Sequence, residues 1–324
     1  MSVEQNKEFF NNEAASYDAR HEKTLTQLVE EIRSRLDFIG VDWVDDSDDD
    51  GDEEGGKNEE SITKKGVRLL DYACGTGLVS RVSHIPSIAG ASSRSLLPPI
   101  PRHQNNHTIP TTPHPLITIL INIHPQALAP YTTQCVGIDL SENMVAAYNT
   151  RAENQGLTPS EMHAYQGNLL SPAPSPTLTP PFTNFTLAAV GLGFHHFDDP
   201  SLAARRLVER LAPGGVLMII DFLPHDKMES THAASHTVTH HGFSEAEVRR
   251  MFEDAGAGEG FRLEEVGVVF NRAVAGGHGQ AHGEGHAHGH DEHGEGHGHG
   301  HSQRPHPGGE VRRRVFIARG AKGV

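Results

Sequence analysis

The sequence predicts an α/β protein: a mostly parallel sheet of seven strands, helices on both faces, and an antiparallel hairpin of the last two strands. Three observations carry that prediction. Short apolar runs alternate with stretches of helical period, the order that produces a parallel sheet covered on both sides. The first apolar run, Leu69-Leu70-Asp71, passes straight into the small, flexible sequence Ala73-Cys74-Gly75-Thr76-Gly77. The last two runs, "EEVGVVF" and "RRRVFIARG", have no helix between them and read as a hairpin.

Taken in order, the periodicity predicts helices at about 4–15 and 18–38 and a strand at 67–72. The glycine turn follows, and a helix is expected to begin at Leu78-Val79-Ser80-Arg81. A strand at 134–139 leads to a helix at 142–155, which Ser141 can cap. A short strand is expected near 162–166 and another at 185–191. Asp199-Pro200 then places a capping carboxylate before a proline at the first position of a helix over 200–211. The turn "LAPGG" ends that helix, and a strand at 215–222 follows. Ser244-Glu245-Ala246-Glu247 is a capping box for a helix at 244–255 that Gly256 stops. The hairpin strands fall near 261–270 and 311–319.

Three segments lack the apolar content to build a core. Residues 45–60 hold ten Asp or Glu and one Lys, which is nine of the chain's fifteen net negative charges. About 82–126 is rich in Pro, Ser and His, and 276–309 alternates glycine with histidine. The remainder carries about −6, with no basic stripe to neutralise phosphates, so nucleic acid is not an expected partner. The two cysteines, Cys74 and Cys135, lie beside predicted strands as in a reduced compartment, the cytoplasm or the nucleus. No apolar run approaches the ~20 residues of a membrane span, and "MSVEQNKEFF" does not read as a signal peptide.

The middle segment breaks a spacing. Gly77 and Asp139 stand 62 residues apart, whereas a β-α-β nucleotide unit places its acid about 20 on. Removing Val82–Gln126, 45 residues, shortens the gap to 17. Leu78 and Val79 then sit one helical turn before Ala127 and Leu128, and Pro130 ends the joined helix. The segment begins Val-Ser, which GTGAGT can encode, and ends in Gln, which CAG can encode; these triplets match the two ends of an intron. The segment therefore reads as a translated intron, with a natural loop insertion as the alternative.

Open α/β sheets bind ligands at the carboxyl ends of their strands. Asp71 ends the first strand ahead of the glycine turn, and Asp139 ends the second, where a carboxylate can accept from both hydroxyls of a ribose. In order along the chain come "LLDYACGTG", "VGIDLSENMV", "AYQGNLL", "GFHHFDDP" and "LAPGGVLMIIDF". Together they resemble the motifs of class I S-adenosylmethionine-dependent methyltransferases, particularly a small-molecule group that includes quinone-biosynthesis enzymes. The opening "FFNNEAASYDAR" is similar to the helix that lids the cofactor in that family. The resemblance covers roughly 9–40, 66–81, 127–270 and 310–320.

That resemblance implies a Rossmann-like fold, a methyltransferase activity and S-adenosyl-L-methionine as cofactor. It divides the chain into a helical lid (1–43), an acidic linker (44–65) and a methyltransferase domain (66–320) interrupted by 82–126 and 276–309. By the same resemblance, Asp71, Ala73, Gly75 and Gly77 cradle the methionine part, and Tyr17 closes over its carboxylate. Asp139 holds the ribose, Met144 flanks the adenine, and Asn168 and Leu169 bound its other side; Leu140 is a further cofactor-binding residue. The family's usual residue at 168 is Asp. An Asn carbonyl there can accept from the adenine amine, without the assistance of charge.

His195 and His196 follow the fourth strand and are the candidate general bases; histidine suits that work because it titrates near neutrality. His240 and His241 are weaker candidates for lining the acceptor pocket, and Asp221 reads as structural. The expected acceptor is a small molecule methylated on O, N or C, with no membrane partner. One alternative is a scaffold that keeps the fold without catalysis. Another is an NAD(P)-dependent oxidoreductase, which fits less well because Gly75-x-Gly77-x-x ends in Ser80 where the dinucleotide fingerprint wants Gly or Ala. The histidine tract could bind a metal loosely, but its composition supplies no second-shell support, so no metal site is assigned.

Overall fold

Seven strands hydrogen-bond into one sheet in the order β3-β2-β1-β4-β5-β7-β6. They are β1 (Arg68–Tyr72), β2 (Gln134–Asp139), β3 (Met162–Gln166), β4 (Phe185–Gly191), β5 (Leu211–Phe222), β6 (Glu259–Asn271) and β7 (Glu310–Ala321). The computed structural model describes residues 2–43, 66–80, 127–172, 178, 182–226, 234–271 and 310–324. The acidic linker 44–65, the segment 82–126 and the Gly/His tract 276–309 lie outside the described residues.

The pairs β3·β2, β2·β1, β1·β4 and β4·β5 are all parallel. Only β7, wedged between β5 and β6, runs antiparallel to both. Consecutive elements step one way from β1 through β2 to β3 and the other way from β4 to β5, so the strand order reverses at β1. That reversal opens a crevice at the carboxyl ends of β1 and β4.

Apart from the N-terminal helix, which buries no residue, the helices cover both faces because each has one apolar side. Those of the N-terminal part are α1 (Val3–Glu13), α2 (Tyr17–Arg33) and α3 (Leu36–Ile39). Leu25, Leu28, Val29 and Ile32 of α2 and Tyr148 and Ala152 of α4 (Glu142–Asn154) join one core cluster with Leu69, Leu187 and Met218 of the sheet. On the opposite face, Ala203, Ala204 and Leu207 of α5 (Pro200–Val208) and Val248 and Phe252 of α6 (Glu245–Ala255) pack on Leu70, Ala188 and Leu217. Alternate residues of each buried strand thus feed different layers, as the two-residue period of a strand requires.

The caps form as the sequence predicts. Ser141 Oγ accepts from Met144 N at 3.1 Å, and Asp199 Oδ1 accepts from Leu202 N at 2.8 Å. Ser244 and Glu247 complete a capping box, and Gly256 closes α6 with φ +85°. A second box, Ser2 with Gln5, starts α1.

Three expected elements differ. The single helix over 18–38 is two, because the chain turns at Ser34-Arg35, where Ser34 Oγ bonds back to Glu31 O and Arg35 leaves helical geometry at φ −123°. The strand expected from 215 begins at Leu211, which pairs with Phe185 across an irregular register despite its Pro-Gly-Gly. The helix expected from Leu78 is absent among the described residues: 75–80 form turns. The carbonyl of Val79 there accepts from the amide of Leu128 at 3.1 Å. With 45 residues removed, Leu128 falls four positions after Val79, so this is the bond an α-helix would make across the join. No helix among the described residues is long and apolar enough to cross a membrane.

Candidate functional site

The turn after β1 holds three residues in the left-handed region within five positions: Ala73 (φ 54°), Gly75 (φ 52°) and Gly77 (φ 94°). Each glycine is needed for a different reason. A Cβ on Gly77 would lie 3.1 Å from the Tyr148 ring, whereas a Cβ on Gly75 would meet nothing within 4 Å. Gly75 therefore presents bare backbone to open space, where a ligand can approach the chain. Ala73 adopts a conformation that costs an L-residue with a side chain about 1–2 kcal/mol.

Two buried carboxylates flank the turn. Asp71 accepts from Ser80 Oγ at 2.6 Å, and its burial, with Asp139 nearby, pushes its carboxyl up to about 7. Asp139 ends β2 and accepts from Gly75 N and Ser141 N, each at 2.8 Å. Burial raises its carboxyl too, and these amides oppose the rise. Each oxygen keeps a lone pair beyond its amide, enough for two further donors.

Asn168 departs from the expectation in detail. Its Oδ1 accepts from Leu170 N at 2.8 Å and from Tyr72 Oη at 3.3 Å. The group left to meet a ligand is the amide Nδ2, a donor suited to a ring nitrogen rather than to an amine. Leu169 and Met144 are buried, and Leu140 is half-buried.

The N-terminal helices are tied to this site by contacts the sequence reading missed. Asn11 Oδ1 accepts from Ser141 Oγ at 2.6 Å and from Asn143 N at 3.2 Å, pinning α1 to the start of α4. Asp18 accepts from Thr76 Oγ1 at 2.6 Å and pairs with Arg151, pinning α2 to the glycine turn. Tyr17, one residue earlier, lies with its ring 4.7 Å from that of His21.

Across the crevice, a 3-10 turn at Phe194–His196 follows β4. It touches the glycine turn, since a Cβ on Gly193 would lie 3.0 Å from that of Ala73. His195 Nδ1 lies 2.9 Å from Asp221 Oδ1, and its backbone N donates to Asp221 Oδ2 at 3.2 Å. His196 Nδ1 donates to Thr237 O at 2.8 Å, and burial beside His195 lowers its imidazole to about 3, so it stays neutral. His240 donates from Nε2 to Phe197 O at 3.0 Å, whereas His241 Nδ1 is buried without a partner. An open cleft of about 540 Å3 lined by Gln5, Glu8, Phe9, Asn12 and His236 adjoins this turn, with Phe10 edge-on to His196. No group of three metal-ligating side chains occurs among the described residues.

The fold and the crevice together define a class. The order 3-2-1-4-5 matches doubly wound nucleotide-binding sheets, but an antiparallel strand then separates β5 from β6, unlike the order 3-2-1-4-5-6 of dinucleotide-binding domains. With its glycine turn, acid-ended β2 and covering helices, this is the architecture of a class I methyltransferase. The sequence matches the methyltransferase domain family over residues 30–258, and the chain belongs to that family, the S-adenosylmethionine-dependent methyltransferases. It is 25% identical over 198 residues to uncharacterized methyltransferase C1347.09 of Schizosaccharomyces pombe, covering 59% of this chain and 54% of that one. The chain thus spans about half the length of that relative.

Among solved structures, the YcgJ protein of Bacillus subtilis superposes with a TM-score of 0.47 at 14% identity, over 80% of this chain and 93% of the other. A phosphoethanolamine N-methyltransferase 2 of Haemonchus contortus, in complex with S-adenosyl-L-methionine, gives 0.38 at 15% identity, over 63% and 36%.

Proposed function

We propose that the chain is an S-adenosylmethionine-dependent methyltransferase acting on a small-molecule acceptor. The observation that carries the proposal is the glycine turn: bare backbone at Gly75 facing open space, hydrogen-bonded to the carboxylate of Asp139. The residues fit the cofactor. Asp71, Ala73, Gly75 and Gly77 would hold its methionine part, and Asp139 retains lone pairs for two ribose hydroxyls. Leu140, Met144 and Leu169 offer an apolar slot for adenine, with the amide of Asn168 at its edge. Tyr17, fixed by the Asp18–Thr76 bond, would close over the carboxylate. When bound, the cofactor supplies an electrophilic sulfonium methyl.

The chain's own contribution is positioning and, for an acceptor that must lose a proton, a base. In-line placement of nucleophile and methyl accounts for much of the acceleration in such a displacement. His195 and His196 stand on the side of the crevice where the acceptor would enter, beside the cleft under α1. The neutral state of His196 leaves its Nε2 able to accept a hydrogen bond. The acceptor is read as small because the sequence carries no basic stripe that would neutralise the phosphates of a nucleic acid. A screen of the purified chain against phenols, amines and carboxylic acids, with radiolabelled methyl donor, tests the proposal; donor binding without turnover on any small acceptor would support the scaffold reading instead.

A further inference from the structure

We propose that Asp221 is a positioning residue that makes His195 the proton acceptor of the reaction, so that the enzyme methylates hydroxyl groups, of the phenol or enol type. The inference rests on the methyltransferase reading above and narrows its acceptor class.

Asp221 is the penultimate residue of β5, and its side chain is fully buried. Three groups converge on its carboxylate: His195 Nδ1 at 2.9 Å, His195 N at 3.2 Å and Phe222 N at 2.7 Å. The two amides hold the carboxylate still, and the carboxylate then fixes the ring. An acid facing Nδ1 requires the proton on that nitrogen and leaves the lone pair on Nε2. No hydrogen bond to that Nε2 occurs among the described residues, and it is not among the buried polar atoms that lack a partner. The ring is clamped between His196, 4.0 Å away between centroids, and Phe222, 5.0 Å away. The backbone carbonyl of His195 also accepts from Thr239 N and His240 N, so the whole turn is held.

His196 has no such partner. Its Nδ1 meets a neutral carbonyl; that carbonyl and Asp221 favour the protonated ring, but burial and the adjacent His195 outweigh them. His225 lies beyond the Phe222 ring, with Arg313 over the same ring, and both would disfavour a further positive charge. Among the described residues, Asp221 is the one charged group hydrogen-bonded to a histidine ring of this turn, at His195 Nδ1. An anchoring role alone would be met by the two backbone amides and would not need the Nδ1 contact.

The step balances. The acceptor O–H gives its proton to His195 Nε2 while its oxygen forms a bond to the methyl carbon. The carbon–sulfur bond breaks with its electron pair left on sulfur, which becomes a neutral thioether. The imidazolium, paired with the Asp221 carboxylate, afterwards returns the proton to water.

The test uses the full chain and Asp221→Asn, which keeps the shape and one oxygen to accept from one of the two amides but removes the charge. Imidazole nitrogen NMR of 15N-histidine-labelled protein, with His195 assigned through His195→Gln, reads the tautomer without turnover. The wild type should carry its proton on Nδ1, and Asp221→Asn should lose that preference. Turnover is measured on substituted phenols from phenol to 4-nitrophenol. Asp221→Asn should lose at least tenfold in kcat on phenol but little on 4-nitrophenol assayed above that phenol's own pKa, where it is already ionised, and the acid limb of the pH–rate profile on phenol should move to lower pH.

A wild-type tautomer with the proton on Nε2 overturns the inference even if Asp221→Asn does not fold. So does an equal loss across the phenols, or turnover of amines or carboxylates only. Failure of the wild type to bind S-adenosylhomocysteine would instead remove the methyltransferase reading, and calorimetry on the same sample separates the two.

Discussion

Deleting Val82–Gln126 should stabilise the protein and tighten its hold on the cofactor. The flanks already meet as if the segment were absent: Leu128 N donates to Val79 O at 3.1 Å, the bond of a helix joined across the deletion. Leu78, Val79 and Ser80 on one side and Ala127 and Leu128 on the other are all buried. Holding those flanks together across 45 intervening residues carries a closure entropy of about 3 kcal/mol, which the deletion removes. For a domain of this size that corresponds to a rise in Tm of roughly 6–12 °C. The joined helix would also firm the glycine turn through the Ser80–Asp71 bond, and we predict at least tenfold tighter S-adenosylmethionine binding, about 1.4 kcal/mol. Scanning calorimetry and binding titration on the two chains measure both effects. Equal melting temperature and affinity would show 82–126 to be a tolerated insertion, and transcripts that all carry its codons would refute a translated intron.

Further outcomes follow from the same geometry. Asp139→Ala should weaken S-adenosylmethionine binding by roughly 1–3 kcal/mol, because a charged acceptor of two hydroxyls is lost; a change under twofold by calorimetry would move the ribose elsewhere. Ala73→Gly should stabilise the chain by about 0.5–1 kcal/mol, the relief of left-handed strain less the entropy glycine adds to the unfolded state. Denaturant melts showing a loss of more than 1 kcal/mol would mean that the methyl's packing outweighs the strain. Asp71 binds its proton more tightly folded than unfolded, so its contribution to stability should fall as pH rises from about 4 to about 7. Asp71→Asn should flatten that slope in urea melts across the window, and an unchanged slope would place the titration on another group.

Much of the fold was legible because it is written in short-range periods. Strands β2, β3 and β4 fall where alternating apolar runs place them, and the caps Ser141, Asp199 and Ser244 act within three residues of themselves. The break at Ser34-Arg35 was not legible, since neither residue is a conventional helix breaker, and the early start of β5 was masked by Pro213, Gly214 and Gly215. The helix after the glycine turn was misread because its next backbone partner is Leu128, outside any local window.

The site divides along the same line. Glycines and terminal acids announce themselves locally, whereas the clamps Asn11–Ser141 and Asp18–Arg151 join residues 130 and 133 positions apart. Asp221, read as structural in the sequence, shows its contact with His195 only when β4 and β5 are laid side by side.

The most direct test of the central claim is isothermal titration of the full chain with S-adenosylhomocysteine, with NADH as the competitor class. Saturable one-to-one binding of S-adenosylhomocysteine, weakened in Asp139→Ala and absent for NADH, is the predicted result. Binding of NADH without S-adenosylhomocysteine would contradict the account.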